Sequence, residues 1–226
     1  MTGASDGIGK QIALRFAREG VNLALTARDQ KRLEDVELEA KKLGGAIVKS
    51  YSCDISDLKK LEETAQSIIS DFRAVDILIN DAGVWQKMMP LEDIKPETID
   101  DIIGINLTAF IHITRLFMPV LKSREEAAII NVISKSGIVA QEGQSVYMAS
   151  KYGVRGFTDV LRADLKDTNV RVAGVYQSGT NTKMFTKTGE DFSTEKFTDP
   201  ADLADVVAYM LLLPKKIWLP EVRVEY

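Results

Sequence analysis

MTGASDGIG, residues 1–9, sets three glycines around a turn that runs directly into a helical pattern. Gly3, Gly7 and Gly9 free the backbone to fold back and bring N–H groups against a phosphate, and the helix behind them aims its positive end at the same charge. Such a turn predicts a doubly wound α/β fold, in which it hangs from the carboxyl end of a central parallel strand. Only Met1 precedes Thr2, so that first central strand is lacking in front of the turn. The functional protein is expected to have one, because neighbouring strands without it would bury unpaired backbone groups at about 1–3 kcal/mol each.

Beyond the turn, short apolar runs alternate with longer amphipathic stretches. VNLALTA (21–27) precedes a helical pattern over 29–43, AIVKSYS (46–52) one over 57–72, and VDILIN (75–80) a long segment to Lys122. AIINVIS (128–134) is followed by a helix over about 145–166, VRVAGVY (170–176) by a polar loop and a helix over 200–213, and EVRVEY ends the chain. Strands separated by helices of this length imply right-handed crossovers and a Rossmann-like parallel sheet flanked by helices. Gly20 marks the end of the first helix, while Asp199-Pro200 supplies a cap and first-turn proline for the last. Residues 1–226 read as a single domain, with no internal repeat or linker. The least patterned segment, 183–198, lies beyond a strand's carboxyl end, where open α/β sheets bind ligands, and is the expected substrate lid.

Composition narrows the function. The chain has 226 residues, 45% of them hydrophobic, and a formal net charge of −4. That length buries one substantial core, and the charge argues against nucleic acid and anionic membrane as partners. The single cysteine, Cys53, excludes an internal disulfide and a cysteine-rich metal site, and no metal is expected. No uninterrupted apolar run approaches the roughly 20 residues that span a bilayer, so the expectation is a soluble, cytoplasmic protein.

A glycine cluster alone is equally consistent with a tight turn capping a helix. Tyr147 and Lys151, four apart in SVYMASKYGVRGF, add a second signal: on a helix they share one face and reach a common ligand. A phenol of ordinary pKa near 10 is a poor base at neutral pH, and an ammonium about 4 Å away could favour the phenolate by up to roughly 4 kcal/mol. The plain alternative is a solvated pair on an exposed helix face.

Several motifs in order resemble the short-chain dehydrogenases/reductases over essentially the whole chain. They are TGASDGIG at 2–9, Asn80-Asp81-Ala82-Gly83 after a strand, Asn106 in GINLTAF, Ser134 thirteen residues before Tyr147 with Gly137 three after it, and the Tyr147/Lys151 pair. The resemblance implies an oxidoreductase that interconverts a carbonyl compound and an alcohol. In it Tyr147 is the acid or base, Lys151 lowers the tyrosine pKa and holds the nicotinamide ribose, Ser134 holds the substrate oxygen, and Asn106 anchors a water in a proton relay.

It further implies cofactor contacts from Gly3, Ser5, Asp6, Gly7, Ile8, Gly9, Arg28, Asp54, Ile55, Asn80, Ala82, Gly83 and Thr182, besides Tyr147 and Lys151. Ala27 followed by Arg28, where an acidic residue would hold a ribose 2′-hydroxyl, resembles the NADP-preferring members and favours NADP(H) over NAD(H). Asp6 runs against that preference. Two departures stand out: Asp81 replaces the second Asn of Asn-Asn-Ala-Gly, and Gln177-Ser178 replaces a Pro-Gly.

Reduction of a 3-oxoacyl thioester is the alternative reaction, and a catalytically impaired nucleotide-binding regulator the alternative class. A small carbonyl or alcohol is the expected substrate partner, and the helices around 97–122 and 145–166 are expected to pair copies into a homo-dimer or homo-tetramer. His112 and Cys53 read as packing residues, while Trp85, Met88 and Met89 could line an apolar pocket or simply pack.

Overall fold

The computed structural model describes residues 1–226. Its strands are β1 (Leu23–Ala27), β2 (Val48–Ser52), β3 (Ile77–Asn80), β4 (Ala127–Val132), β5 (Val170–Gln177) and β6 (Glu221–Val224). Its helices are α1 (Gly7–Ala17), α2 (Gln30–Leu43), α3 (Leu58–Phe72), α4 (Pro96–Ile103), α5 (Ala109–Lys122), α6 (Ser145–Asp164) and α7 (Pro200–Leu212). Every strand pair is parallel, in a two-stranded sheet β1-β2 and a four-stranded sheet β3-β4-β5-β6. Residues 1–4 lie between the two: Thr2 N donates to Ile79 O at 3.0 Å, while Thr26 N donates to Met1 O at 2.9 Å and Ala4 N to Thr26 O at 3.2 Å. This short segment occupies the central position and delivers the glycine turn to the strands' carboxyl ends.

The period of two along the strands sorts the core into two layers. Ile79, Ile130 and Ala173 face a cluster with Ile12, Leu33, Val36, Leu203 and Val207, from α1, α2 and α7. Their neighbours Leu78, Ile129 and Val172 face the other side, against Leu61, Ile68, Ile113, Phe117 and Leu121 from α3 and α5. The predicted elements all form, with β1 and β2 starting later than expected, where Val21 and Ile47 are exposed at the sheet margin. Gly20 has the left-handed φ of +70° expected of a helix stop, and the Asp199 side chain accepts from Ala201 N at 2.7 Å.

The run Pro96–Lys122 is continuous helix, interrupted only by a π turn at Gly104–Thr108. Its most apolar 18-residue window, of mean hydropathy 1.4, would suit a membrane span, but its buried side chains belong to the interior beside the sheet, as a core helix does. The segment 183–198 carries one short turn, Thr186–Thr188, and returns beside the sheet through a parallel bridge between Thr180 and Thr198.

Candidate active site

The glycine turn is built by close backbone approach. Gly3 and Gly7 have φ of +72° and +55°, and a Cβ on Gly9 would lie 2.4 Å from Gly3 O. Side chains are thereby excluded where a phosphate must reach backbone N–H groups. Asp6 caps α1 by accepting from Gly7 N at 2.9 Å, and its other oxygen pairs with Lys187 at 3.0 Å and Arg32 at 3.6 Å. Those partners and the Gly7 N–H outweigh burial and hold its pKa below the ordinary value. Thr2 Oγ1 accepts from Asp81 N and Ala82 N, both at 3.2 Å, which fastens the turn to the end of β3.

A cleft of about 1070 Å³ opens at the strands' carboxyl ends. Gly3, Ser5, Asp6, Gly7, Ile8, Arg28, Asp54, Ile55, Ala82, Gly83 and Thr182 line it, together with Ser134, Tyr147 and Lys151. Three expected contacts stand behind the wall. Asn80 is fully buried and donates to Thr114 and Asn131, so it braces β3 against its neighbours. Gly9 serves the turn's packing. Asn106, in the π turn, clamps Val84 by accepting from its N–H at 2.8 Å and donating to its carbonyl at 2.9 Å. Its side chain thereby holds the segment after Gly83.

At the reacting end, Ser134 adopts φ 130°, ψ 153°, a conformation that costs about 1–3 kcal/mol in a non-glycine residue and persists where the fold enforces it. Its Oγ accepts from Ser136 N at 3.1 Å. Gly137 permits this loop to lie on α6: a Cβ there would meet Ile133 Cγ2 at 2.9 Å and Lys151 O at 3.0 Å. Tyr147 and Lys151 emerge one turn apart on α6, 5% and 4% exposed, with Lys151 Nζ 5.6 Å from the Tyr147 ring centroid.

The sequence model of the family described as short chain dehydrogenase matches residues 1–192, spanning the turn, Ser134, Tyr147 and Lys151. The chain belongs to that family. Short chain dehydrogenases are oxidoreductases acting on CH–OH and C=O groups. The D-beta-hydroxybutyrate dehydrogenase of Cupriavidus necator is 37% identical over 170 residues, 75% of this chain but just under two thirds, 65%, of that protein. A metagenomic short-chain oxidoreductase solved with NADP superposes at a TM-score of 0.86 and 32% identity, covering 99% of this chain and 94% of that one. The 3-ketoacyl-(acyl-carrier-protein) reductase of Brucella melitensis, solved with NADH, does so at 0.87 and 28%, with the same coverage.

In this short chain dehydrogenase, burial is the main influence on the electrostatics of the site. Burial pushes the Tyr147 phenol up to about 12, with Ser134 opposing and Asp81 adding to the rise. Burial pulls Lys151 down to about 8, against the attraction of Asp81. Desolvation is the largest influence on both groups and favours the neutral phenol and the neutral amine. Asp81, unusual in the family motif, lies under the glycine turn, where the Gly9 N–H and Lys151 favour its charge but burial raises it to about 7. At the other departure, Gln177 Oε1 and Ser178 Oγ are buried without partners, while both residues line the cleft.

One positioning residue escaped the sequence. Gln86 Oε1 accepts from Val146 N at 3.0 Å and Tyr147 N at 2.9 Å, capping α6 from 60 residues away. Its own cap residue, Gln144, supplies no such bond. No local pattern signals a cap that arrives through tertiary contact.

Proposed function

We propose that the protein is an NADP(H)-dependent oxidoreductase that interconverts a carbonyl compound and an alcohol, with Tyr147 as the acid and base. The observation that carries this reading is the convergence of Ser134, Tyr147 and Lys151 in the same cleft as the glycine turn. The turn suits the dinucleotide because its glycines leave a cradle that a Cβ would fill, with helix α1 directed at the phosphates. Held by the backbone of the turn and by Lys151, NADPH would supply the hydride for the carbonyl carbon. Ser134 Oγ orients the carbonyl oxygen, and Tyr147, protonated at neutral pH, gives its hydrogen to that oxygen as negative charge develops there. Lys151 then stabilises the phenolate left behind until solvent returns the proton. Asn106 acts as a positioning residue by fixing the backbone of Val84.

The preference for NADP(H) rests on Arg28, which lines the cleft just after β1 ends on the uncharged Ala27, although Asp29 and Asp54 line the same end. Arg32 also lines this end of the cleft. A cytoplasmic homo-dimer or homo-tetramer is part of the same reading; exposed Ile111, Tyr152 and Val160 on α5 and α6 support pairing through those helices.

Titrating the protein with NADPH and NADH by fluorescence, then following NADPH absorbance with a carbonyl panel, tests the reading. Tight NADPH binding with carbonyl-dependent oxidation is expected. Tight binding without turnover of any carbonyl leaves the regulator class instead.

A further inference from the structure

We propose that the substrate is a neutral aromatic or alicyclic ketone, admitted by an aromatic wall that excludes carboxylate-bearing compounds; this rests on the oxidoreductase reading. Six rings run without a break from the acid to the end of the chain. Trp85 meets Tyr147 edge-on at 4.6 Å between centroids and Phe185 at 5.0 Å; Phe185 meets Phe192 at 5.2 Å and Phe197 at 5.7 Å, and Phe197 meets Tyr226 at 5.1 Å. All six line the cleft. Rings in such edge and tilted contacts present broad apolar surface on both sides of a flat guest, and they lose little freedom in doing so.

The wall is held by a polar latch. Glu190, from the lid, accepts through one oxygen from Trp85 Nε1 at 3.0 Å and Met88 N at 2.7 Å. The neighbouring polar groups satisfy one another. Gln141 Nε2 donates to Ser136 Oγ, Ser136 Oγ to Gln144 Oε1, and Gln144 Nε2 to Gln141 Oε1, a closed ring with no charge in it. Tyr147, Ser134 and the unpartnered hydroxyl of Ser178 are left as uncharged donors lining the cleft.

Charge accounts for the exclusion. Lys135 is paired with Glu225 at 3.4 Å, Lys187 with Asp6 at 3.0 Å, and Arg32 with Asp29 at 3.3 Å. Lys183 and Arg28 also line the cleft; they make no ion pair and feel only the field of Asp6 and Asp54. Lys151 is engaged by the reaction itself. A substrate carboxylate among these rings would lose its hydration, would find Lys135, Lys187 and Arg32 already paired, and would face Glu190.

The test compares α-tetralone, a neutral bicyclic aromatic ketone, with acetoacetate and acetoacetyl-CoA as oxidants of NADPH. The expected kcat/KM for α-tetralone exceeds that for either of the others by at least about 100-fold. Phe185→Ala is expected to raise the KM for α-tetralone about tenfold while leaving the Kd for NADPH unchanged. Glu190→Ala should raise the same KM, and Glu190→Gln, which keeps the accepting oxygen, should restore it. Preference for acetoacetate or the thioester, or an unmoved KM in Phe185→Ala, overturns the inference alone. Absence of NADPH binding together with absence of any turnover overturns the oxidoreductase reading and this inference with it.

Discussion

The two ends of the cleft are built on different principles. At the nucleotide end, backbone does the work: glycines at positions 3, 7 and 9 let the chain approach itself to within distances no side chain allows, and Thr2 and Asp6 fasten the turn through short polar bonds. At the substrate end, side chains do the work: Trp85, Phe185, Phe192, Phe197 and Tyr226 form a wall from segments far apart in sequence, held by one carboxylate from the lid. A backbone site admits very few residues at each position. A wall of rings admits many, provided the total surface remains apolar. The first is therefore bound to one class of ligand, and the second is free to change its guest by substitution.

The sharpest separation of the two ends comes from Tyr147, which stands between them. Tyr147→Phe keeps the ring against Trp85 and removes only the proton carried by the phenol. Turnover is expected to fall by about 10²–10⁴, the contribution of a positioned acid, with NADPH affinity nearly unchanged. Single-turnover absorbance and NADPH titration measure the two quantities independently. Retained turnover would mean that the proton comes from elsewhere in the cleft.

Arg28→Ala acts at the opposite end and should spare the substrate wall. Loss of a charge-assisted contact to a 2′-phosphate is worth about 1.5–3 kcal/mol, so the Kd for NADPH should rise roughly 10- to 100-fold while that for NADH stays put. Equal weakening of both cofactors would locate Arg28 against the shared part of the dinucleotide instead.

How far the sequence could be read follows the same division. Strands and helices were legible because the period-two runs face two helix layers, and Gly3, Gly7 and Gly9 were legible because steric exclusion writes itself into local spacing. Tyr147 and Lys151 were legible because one helical turn brings them together. Gln86 was not: it reaches α6 across 60 residues, and nothing near position 86 marks it as a cap. Nor was the state of Tyr147, since the spacing of an ammonium says nothing of how much water the fold removes from the phenol. The bonds by which the Asn106 amide holds Val84 were not legible either, because they depend on the π turn and on contact across 22 residues. The lid was expected at 183–198 as unpatterned chain, whereas its rings became a wall only through contacts with Trp85 and Tyr226.

Gly9→Ala tests whether the nucleotide end is as unforgiving as its backbone distances imply. The new methyl would lie 2.4 Å from Gly3 O and 2.7 Å from Asp81 Oδ2. The turn must open, at a cost of about 1–3 kcal/mol, and both NADPH and NADH affinity should fall together. Thermal unfolding and titration with each cofactor check this; a KM shift confined to the carbonyl substrate would contradict the division between the ends.

The smallest effect, and the one that joins the two ends, belongs to Asp81. Burial raises its native pKa to about 7 from 3.8, so the native state holds this proton more tightly than the unfolded chain does. Stability is therefore lost as pH rises from about 4 to 7, and the full penalty persists above that window. Asp81→Asn keeps the shape and an oxygen that can accept from Gly9 N–H, but cannot ionise. Three pKa units represent about 4 kcal/mol; because Lys151 simultaneously loses an attractive partner, the net gain expected at pH 8 is about 1–2 kcal/mol. The difference in melting temperature between variant and parent should be near zero at pH 4 and grow to several degrees by pH 8. Removing the carboxylate also removes one of the influences that raise the Tyr147 pKa, so the alkaline limb of carbonyl reduction should move to lower pH. A purely structural Asp81 would give a stability difference independent of pH and leave that limb in place. Movement of both makes a residue under the phosphate turn the regulator of a proton delivered at the aromatic end, through a charge shared with Lys151 rather than through any contact with substrate.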